Sequence, residues 1–428
     1  MAATSEEDDF LDSDSDLMYD DDPNDDADSF GGEEYLDEIG ASSQNITAED
    51  VAKGRDIQGI PWETLLTTRD RYRLRRLVQY RNYENLQAPH DEINRELDDF
   101  PVRYDGKFYR FQHNTRDIRS SIVHFQLRNL VWANSAHDVY VMHDARVYHW
   151  SSLTRKRTEI AQLQSSNFGG QLSISTMAVQ GNVCMAGGFY GDIVVLKVNT
   201  GEVVHAERIT TDQNAITNAI VLCDSPSGSL QAVISNNDCN LRYLDLSTFV
   251  LTNCHTFPWA INYTALSPDG KLACVVGDCT EVVLADADSG QRVATLSGHI
   301  DYSFACAWHP GGNLFATGNQ DKTCRIWDRR YPKNSVAVLG GRIGAIRSIR
   351  FTGDGRYMAI AEPADFVHVY DCDQMFQRRQ ELDMFGEIAG IGFSPDAESL
   401  FLGVHDRTYG GLLEFQRCHP SVYNDVLM

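Results

Sequence analysis

The sequence predicts an all-β chain built from seven tandem repeats, and three observations carry that expectation. The first is one complete unit, running from Gly298-His299 to Trp327-Asp328. Inside it lie a turn signal, His309-Pro310-Gly311-Gly312, and an apolar run, Leu314-Phe315-Ala316-Thr317. Asp321 and the alternating Thr323-Cys324-Arg325-Ile326 follow. Period-two alternation marks a half-buried strand, and the Pro-Gly cluster marks a tight connection. The second observation is recurrence. The Trp327 position returns at Trp150, Leu196, Leu244, Ala285, Tyr370 and Phe415, with steps of 46, 48, 41, 42, 43 and 45 residues from the first to the last. The third is a set of turn signals where the first two strands of other units should meet: Ser267-Pro268-Asp269-Gly270, Thr352-Gly353-Asp354-Gly355 and Ser394-Pro395-Asp396-Ala397.

Glycine-histidine, a β-turn, two short strands and Trp-Asp together resemble the WD repeat, in which each unit supplies one four-stranded blade. The resemblance implies a seven-bladed WD-repeat β-propeller. It also implies that His299, Thr317, Asp321 and Trp327 form a buried hydrogen-bonded chain, because a buried carboxylate requires a partner. The other reading of His299 and Asp321 is a catalytic acid–base pair; their place in the repeat assigns them to structure. Asp238 occupies the Asp321 position of its unit, and Asp245, Asp286 and Asp371 supply the aspartate of the Trp-Asp pair.

Taken in chain order, residues 1–50 are expected to be an acidic disordered tail. They hold 19 Asp or Glu and no Lys or Arg, out of a formal net charge of −24 for 428 residues. Such a run repels itself and buries too little apolar surface to fold. Phe10, Leu11, Leu17, Met18, Tyr19, Phe30, Tyr35 and Leu36 interleave with the acids, as in a segment that docks apolar anchors on a basic surface. Ser5 and Ser13 each precede an acid by three residues, the pattern acid-directed kinases prefer, and phosphate would add about −1.5 to −2 per site.

Residues 51–106 are expected to be an extended and helical, arginine-rich extension. Thr47-Ala48-Glu49-Asp50 reads as a capping start. Leu65, Leu66, Tyr72, Leu77, Tyr80 and Tyr83 recur at helical spacing between Trp62 and about Leu86, among Arg69, Arg71, Arg73, Arg75, Arg76 and Arg81. This basic amphipathic helix either packs on the ring with its arginines solvated or paired, or binds phosphate, the acidic tail or a partner helix. Residues 107–428 make the propeller. The last unit supplies three strands, near Gly390–Phe393, Ser399–Val404 and Gly411–Gln416. Lys107–Phe111 is therefore expected to add the fourth and lock the two ends of the ring, leaving no long open edge.

Composition narrows the function classes. No run of 18 apolar residues occurs, and the acidic N-terminus does not read as a signal peptide, so no membrane partner is expected. The ten cysteines contain no Cys-x-x-Cys pair and sit at strand positions such as Cys184, Cys274, Cys306 and Cys324. Free thiols in a reducing compartment, without metal or other cofactor, are expected. Asn45-Ile46-Thr47 fits a glycosylation sequon that would be incidental there. The acidic balance argues against direct nucleic-acid binding. Gly187-Gly188-Phe189-Tyr190-Gly191 lies between two predicted strands with no helix after it and reads as a blade turn. Zinc-protease, phosphate-loop and nucleophile-elbow motifs are missing. No enzyme is expected, with a site assembled at the axial channel kept as a minor alternative.

The expected role is a noncatalytic interaction scaffold, working in nucleus and cytoplasm on other proteins. Loops before each first strand and between second and third strands share one face, where His143, Tyr190, Asn237, Trp259, Asp301, Tyr302, Gln320, Arg342 and His405 fall. Aromatics and arginine anchor interfaces, which favours Trp259, Tyr302 and Arg342. The alternative role comes from residues 315–330, which resemble the Trp-Asp-x-Arg box of substrate receptors of cullin-RING ubiquitin ligases. That resemblance implies adaptor docking through Asp321, Trp327, Asp328 and Arg330, with the helix over 62–86 available as a second contact. Cys324 departs from the box, which prefers Ile, Val or Leu there. The whole chain from about residue 50, most distinctively Gly54-Arg55-Asp56-Ile57-Gln58-Gly59-Ile60-Pro61-Trp62-Glu63, resembles poorly characterised WD-repeat proteins of plants and fungi with acidic N-termini.

Overall fold

The computed structural model describes residues 45–164, 172–225 and 228–419. The interleaved apolar residues and both serines of the acidic segment lie outside the described residues. Five four-stranded antiparallel sheets and one eight-stranded sheet make seven blades. The first strands among the described residues, β1 (Ile46–Thr47) and β2 (Tyr109–Thr115), flank the N-terminal extension in sequence and join blade 7. Blade 1 is β3 (Val131–Ala133), β4 (Asp138–His143), β5 (Arg146–Ser151) and β6 (Lys156–Gln162). Blade 2 is β7 (Ile174–Gln180), β8 (Val183–Gly188), β9 (Asp192–Lys197) and β10 (Val203–Arg208). Blade 3 is β11 (Thr217–Asp224), β12 (Leu230–Asn236), β13 (Asn240–Asp245) and β14 (Val250–Thr256). Blade 4 is β15 (Ile261–Leu266), β16 (Leu272–Gly277), β17 (Val282–Asp286) and β18 (Arg292–Leu296). Blade 5 is β19 (Ser303–Trp308), β20 (Leu314–Asn319), β21 (Thr323–Asp328) and β22 (Ala337–Gly340).

Blades 6 and 7 form the eight-stranded sheet because they share one long strand. Blade 6 is β23 (Ser348–Phe351), β24 (Tyr357–Ala361), β25 (Ala364–Asp371) and the first part of β26 (Arg379–Phe393). The second part of β26 turns inward at Gly386, which sits at φ +117, and pairs with β27 (Ser399–His405), itself paired with β28 (Gly411–Arg417). The outer strand of blade 7 is β2, in register from Tyr109↔Arg417 to Thr115↔Leu412, and β1 adds a short fifth strand beyond it. The innermost strands β3, β7, β11, β15, β19, β23 and the end of β26 contact one another in order, and the last meets the first. The ring is closed by strands from both ends of the described chain.

Packing between blades follows from the repeat. Residues at the Trp327 position all point into the seams: Trp150, Leu196, Leu244, Ala285, Trp327, Tyr370 and Phe415 are buried. Trp327 packs with Phe315, Trp308, Leu284 and Leu296, joining blades 4 and 5. The turns between first and second strands repeat one device. A hydroxyl donates to the carboxylate two residues on, Ser267 to Asp269 (2.6 Å), Thr352 to Asp354 (2.6 Å) and Ser394 to Asp396 (2.5 Å). Gly270 and Gly355 then take the left-handed conformation, as does Ala397 where the third turn lacks glycine.

The extension departs from its expected helix. It opens with α1 (Ala48–Ala52), capped by Thr47 with Asp50 reaching back, as the capping pattern suggests. The helix expected from Trp62 to Leu86 is shorter: α2 spans Arg69–Gln79, with Thr68 accepting from the Arg71 backbone N–H (3.3 Å). Residues 62–68 turn instead, because the Trp62 indole donates to Asp56 (2.9 Å) and its ring packs against Tyr72 and Phe385. Beyond Tyr80 the chain leaves the helix to hydrogen-bond with ring loops. A further helix, α3 (Asp91–Asp99), follows with Ile93 buried. Residue 50 falls inside α1, so the acidic composition ends within an ordered element.

Candidate functional site

Blade 5 contains the hydrogen-bonded chain that the repeat implies. His299 Nδ1 lies 2.9 Å from Asp321 Oδ2, and His299 Nε2 lies 2.9 Å from Thr317 Oγ1. The Trp327 indole N–H donates to the same Thr317 oxygen at 2.8 Å. A hydroxyl already accepting from an indole can give its own proton to imidazole Nε2, which leaves Nδ1–H to donate to Asp321. Thr323 N–H and Oγ1–H donate to the other Asp321 oxygen (2.9 and 2.6 Å). Burial pushes the Asp321 carboxyl up, but His299 and these donors outweigh it and hold the carboxyl below its ordinary value. All four side chains are buried, so Asp321 and Trp327 cannot touch a docking partner directly.

Several groups set an acid limit on the fold, among them His124, which burial with Arg347 and Arg128 nearby lowers to about 3. Burial, with Arg155 adding to it, lowers His113 to about 4. The unfolded imidazole binds a proton near pH 6.5 while the folded one stays neutral, so stability falls as pH drops through that window. Below about pH 4 the depressed Asp321 acts in the same direction, because the unfolded carboxyl protonates first. The thermal midpoint is expected to hold above about pH 7 and to fall progressively from about pH 6 to pH 4. A midpoint that is flat across that range in a melting series would contradict this.

Asp328 and Arg330 reach the opposite end of the blade. The Arg330 side chain is 59% exposed and clamps Asp328, with Nη2–Oδ2 at 2.5 Å and Nε–Oδ1 at 2.9 Å. Tyr331 beside it is 75% exposed, and Arg329 pairs with Asp269 of blade 4 (3.1 Å). Cys324, the departure from the box, is fully buried between blades 5 and 6 among Ile326, Leu339, Ile346 and Ile360, where its size suits an aliphatic site.

On the other face, the extension covers part of the loop set named above. Arg73 Nη1 and Arg76 Nε both donate to Asp365 Oδ2 at 2.6 Å. Arg73 also donates to Asp383 (2.7 Å) and to the Met384 carbonyl (2.5 Å), with its guanidinium 4.1 Å from the Phe385 ring centre. Asn82 donates to the Gln320 carbonyl (2.8 Å) and accepts from Ala345 N–H (2.9 Å). Asn85 bonds both oxygens of Asp301 at 3.0 Å. Glu96 of α3 pairs with Arg325 on blade 5. Asp301 and Gln320 are therefore buried under the chain's own extension. Arg342 is exposed but pairs with Glu381 (2.8 Å) and lies over Phe366.

These contacts fall on blades 5, 6 and 7. Of the loop positions expected to face a partner, those exposed or half-exposed over blades 2 to 4 are Tyr190, Asn237 and Trp259, with Tyr302 at the start of blade 5. Trp259 packs against Phe257, ring centres 5.4 Å apart. His143 and His405 sit farther round, the latter bonded to the Ser120 carbonyl (2.8 Å). Sequence reasoning missed Asp365, Asn82 and Asn85, whose roles depend on partners hundreds of residues away. The arginine cluster was the one available signal that something acidic on the ring would receive it.

The axial channel is occupied from this face by the segment before β3. His124 packs at a tilt against Phe189 of blade 2 (ring centres 5.8 Å apart), and Phe125 lies under Arg347 of blade 6, which donates to the Phe125 carbonyl at 2.6 Å. At the far end Arg350 crosses the channel to Tyr263 of blade 4 (3.2 Å) and Asn129 (3.0 Å), over the Trp132 ring. A cavity of about 230 Å³ opens there among Trp132, Asn134, Arg350, Phe351, Phe393 and Pro395. No carboxylate, histidine or cysteine lines it. Among the described residues, no group of three or more His, Cys, Asp or Glu is placed to hold a metal ion.

Comparison with known proteins supports the ring. Residues 290–328 match the family described as WD domain, G-beta repeat. An uncharacterised protein of Schizosaccharomyces pombe is 24% identical over 296 residues, covering 65% of this chain and 81% of its own length. The DDB1- and CUL4-associated factor 10 of Homo sapiens is 27% identical over 128 residues, 30% of this chain and 22% of that protein. Apoptotic protease-activating factor 1 of Rattus norvegicus is 32% identical over 130 residues, 30% of this chain but 10% of that protein. Against those last two the chain spans well under two thirds of the relative's length. A chain in the crystal structure of the mitotic checkpoint complex superposes with a TM-score of 0.57 at 16% identity, covering 69% of this chain and 90% of that one.

Proposed function

We propose that this chain, a WD-repeat β-propeller, is a noncatalytic protein–protein interaction scaffold of nucleus and cytoplasm. Its partner face is the part of the loop face over blades 2 to 5 that the extension leaves uncovered. The observation that carries this reading is the placement of Trp259 and Tyr302. Both are aromatic, both keep exposed surface, and Tyr302 directly follows Asp301, the carboxylate that Asn85 of the extension holds. Aromatic groups on a rigid rim suit interface anchors because they bring large area at low entropic cost. Arg342, held by Glu381, is the weaker of the three expected anchors.

A second reading, substrate receptor of a cullin-RING ligase, draws on Arg330. That side chain is exposed and pre-oriented by Asp328, beside an exposed Tyr331. The partial likeness to a DDB1- and CUL4-associated factor agrees with it. The two readings use opposite faces, so one experiment separates them. Affinity purification of the intact chain beside Arg330→Glu, read by mass spectrometry, is expected to return an adaptor only with the intact chain if the receptor reading holds. Adaptor missing from both, with other partners retained, leaves the scaffold alone. Because Arg330 is exposed, its replacement is expected to change stability by no more than about 0.5 kcal/mol.

A further inference from the structure

We propose that the outward face of α2 is a docking site for this chain's own acidic segment, residues 1–44. The inner face of α2 is fully committed: Arg69, Arg73 and Arg76 hold Asp383 and Asp365. The outward face has the opposite character. Leu74 and Val78, one turn apart, are 64% and 84% exposed, and Leu66 just ahead of the helix is 80% exposed. Arg71 and Arg75 stand on the same face, exposed, and neither forms an ion pair with another described residue. A surface helix ordinarily turns polar residues outward. Three large aliphatics flanked by uncompensated cations make instead a surface for a ligand that is both acidic and apolar.

Residues 1–44 have that chemistry. They carry 17 Asp or Glu and no Lys, Arg or His, with Phe10-Leu11 and Leu17-Met18-Tyr19 set among the acids. The segment joins the described structure close to the helix. Asn45 is fixed to Asp117 (3.2 Å) and to the Arg116 backbone (2.9 Å). Arg116 in turn reaches the Gln58 carbonyl, and Gln58 bonds Phe385, whose ring packs on Tyr72 of α2. At about 3.3–3.6 Å per extended residue, even part of the segment reaches Leu74. Covalent attachment also gives it an effective concentration near the millimolar range, so a weak contact suffices in cis. A partner bringing acids and apolar anchors to α2 would have to displace it.

Hydrogen exchange of the full chain, read by mass spectrometry, tests this. Peptides covering residues 10–19 are expected to exchange several-fold more slowly than an unstructured chain. Arg71→Glu with Arg75→Glu should abolish that protection, and so should the uncharged pair Leu74→Ser with Val78→Ser. Salt near 1 M should weaken it, since exposed charges are then screened within about 3 Å. All four positions are exposed, so an unchanged melting midpoint shows that the variants fold. Unprotected exchange over 10–19 in the intact chain, or protection in both variants equal to that of the intact chain, would overturn the proposal. Protection that grows with protein concentration would place a second copy's segment there and overturn it too.

Discussion

Replacing Asp365 with alanine is expected to release the N-terminal extension from the ring and to destabilise the whole chain. The Asp365 carboxylate is buried and accepts from Arg73 and Arg76 through one oxygen and from Arg76 Nη2 and Gly386 N–H (both 3.1 Å) through the other. Its removal leaves the buried Arg73 guanidinium with one carboxylate fewer, and breaking a buried pair in this way costs about 3–5 kcal/mol. The backbone adds a second constraint, since Asp365 sits at φ +71, a conformation asparagine and aspartate adopt more readily than alanine. Asp365→Asn separates the two effects: it keeps the backbone preference and loses the charge. Thermal melting should rank wild type above Asp365→Asn, and that above Asp365→Ala. Faster hydrogen exchange over residues 69–79 should accompany both losses. Equal melting of all three chains would mean that α2 is not held by this carboxylate.

Trp327→Ala is the second large effect. The side chain is fully buried at the seam of blades 4 and 5 and donates to Thr317. Deleting a buried aromatic removes its transfer free energy and leaves a cavity that close packing cannot fill, at a cost of about 3–5 kcal/mol. Trp327→Phe keeps most of the apolar volume and loses the indole N–H, for a smaller cost of about 1 kcal/mol from the hydrogen bond. Denaturant unfolding of the two variants should therefore show two well-separated midpoints below that of the wild type. Arg330, only three residues further on, should shift the midpoint little, because it is exposed and its ion pair is with Asp328 next to it. That contrast is what makes Arg330→Glu a test of binding rather than of folding.

The parts of the fold that were legible in the sequence are those set by local pattern. Recurrence of the Trp327 position marked one buried seam residue in each blade from Trp150 to Phe415, because each blade must bury an apolar group there, even where it is as small as Ala285. His299, Thr317 and Asp321 were legible because they lie within one repeat, and their hydrogen bonds span only 18 and 22 positions. The extension was not legible in the same way. Its arginines showed helical spacing, but Arg73 meets Asp365 across 292 positions and Asn85 meets Asp301 across 216. No local period records such a pairing.

The helix ends were misread for a related reason. Tyr80 and Tyr83 continue the apolar spacing of α2, yet the chain beyond Gln79 follows Gln320 and Asp301 on the ring rather than its own helical preference. Tertiary hydrogen bonds outweigh a propensity of a few tenths of a kcal/mol per residue. The same covering changes the candidate face. Asp301 and Gln320 occupy the positions expected of partner-facing loops, but their polar groups are already taken by Asn85, Asn82 and Tyr83. What remains open on that face is narrower and more aromatic than the loop positions alone suggest.

The most direct test is quantitative affinity purification of the intact chain beside a Trp259→Ala, Tyr302→Ala variant whose melting is checked first. A scaffold working through the uncovered rim should lose its main partners at least tenfold in that variant while Arg330→Glu keeps them. Retention of the full partner set by the folded double variant would contradict the assignment of that rim as the partner face.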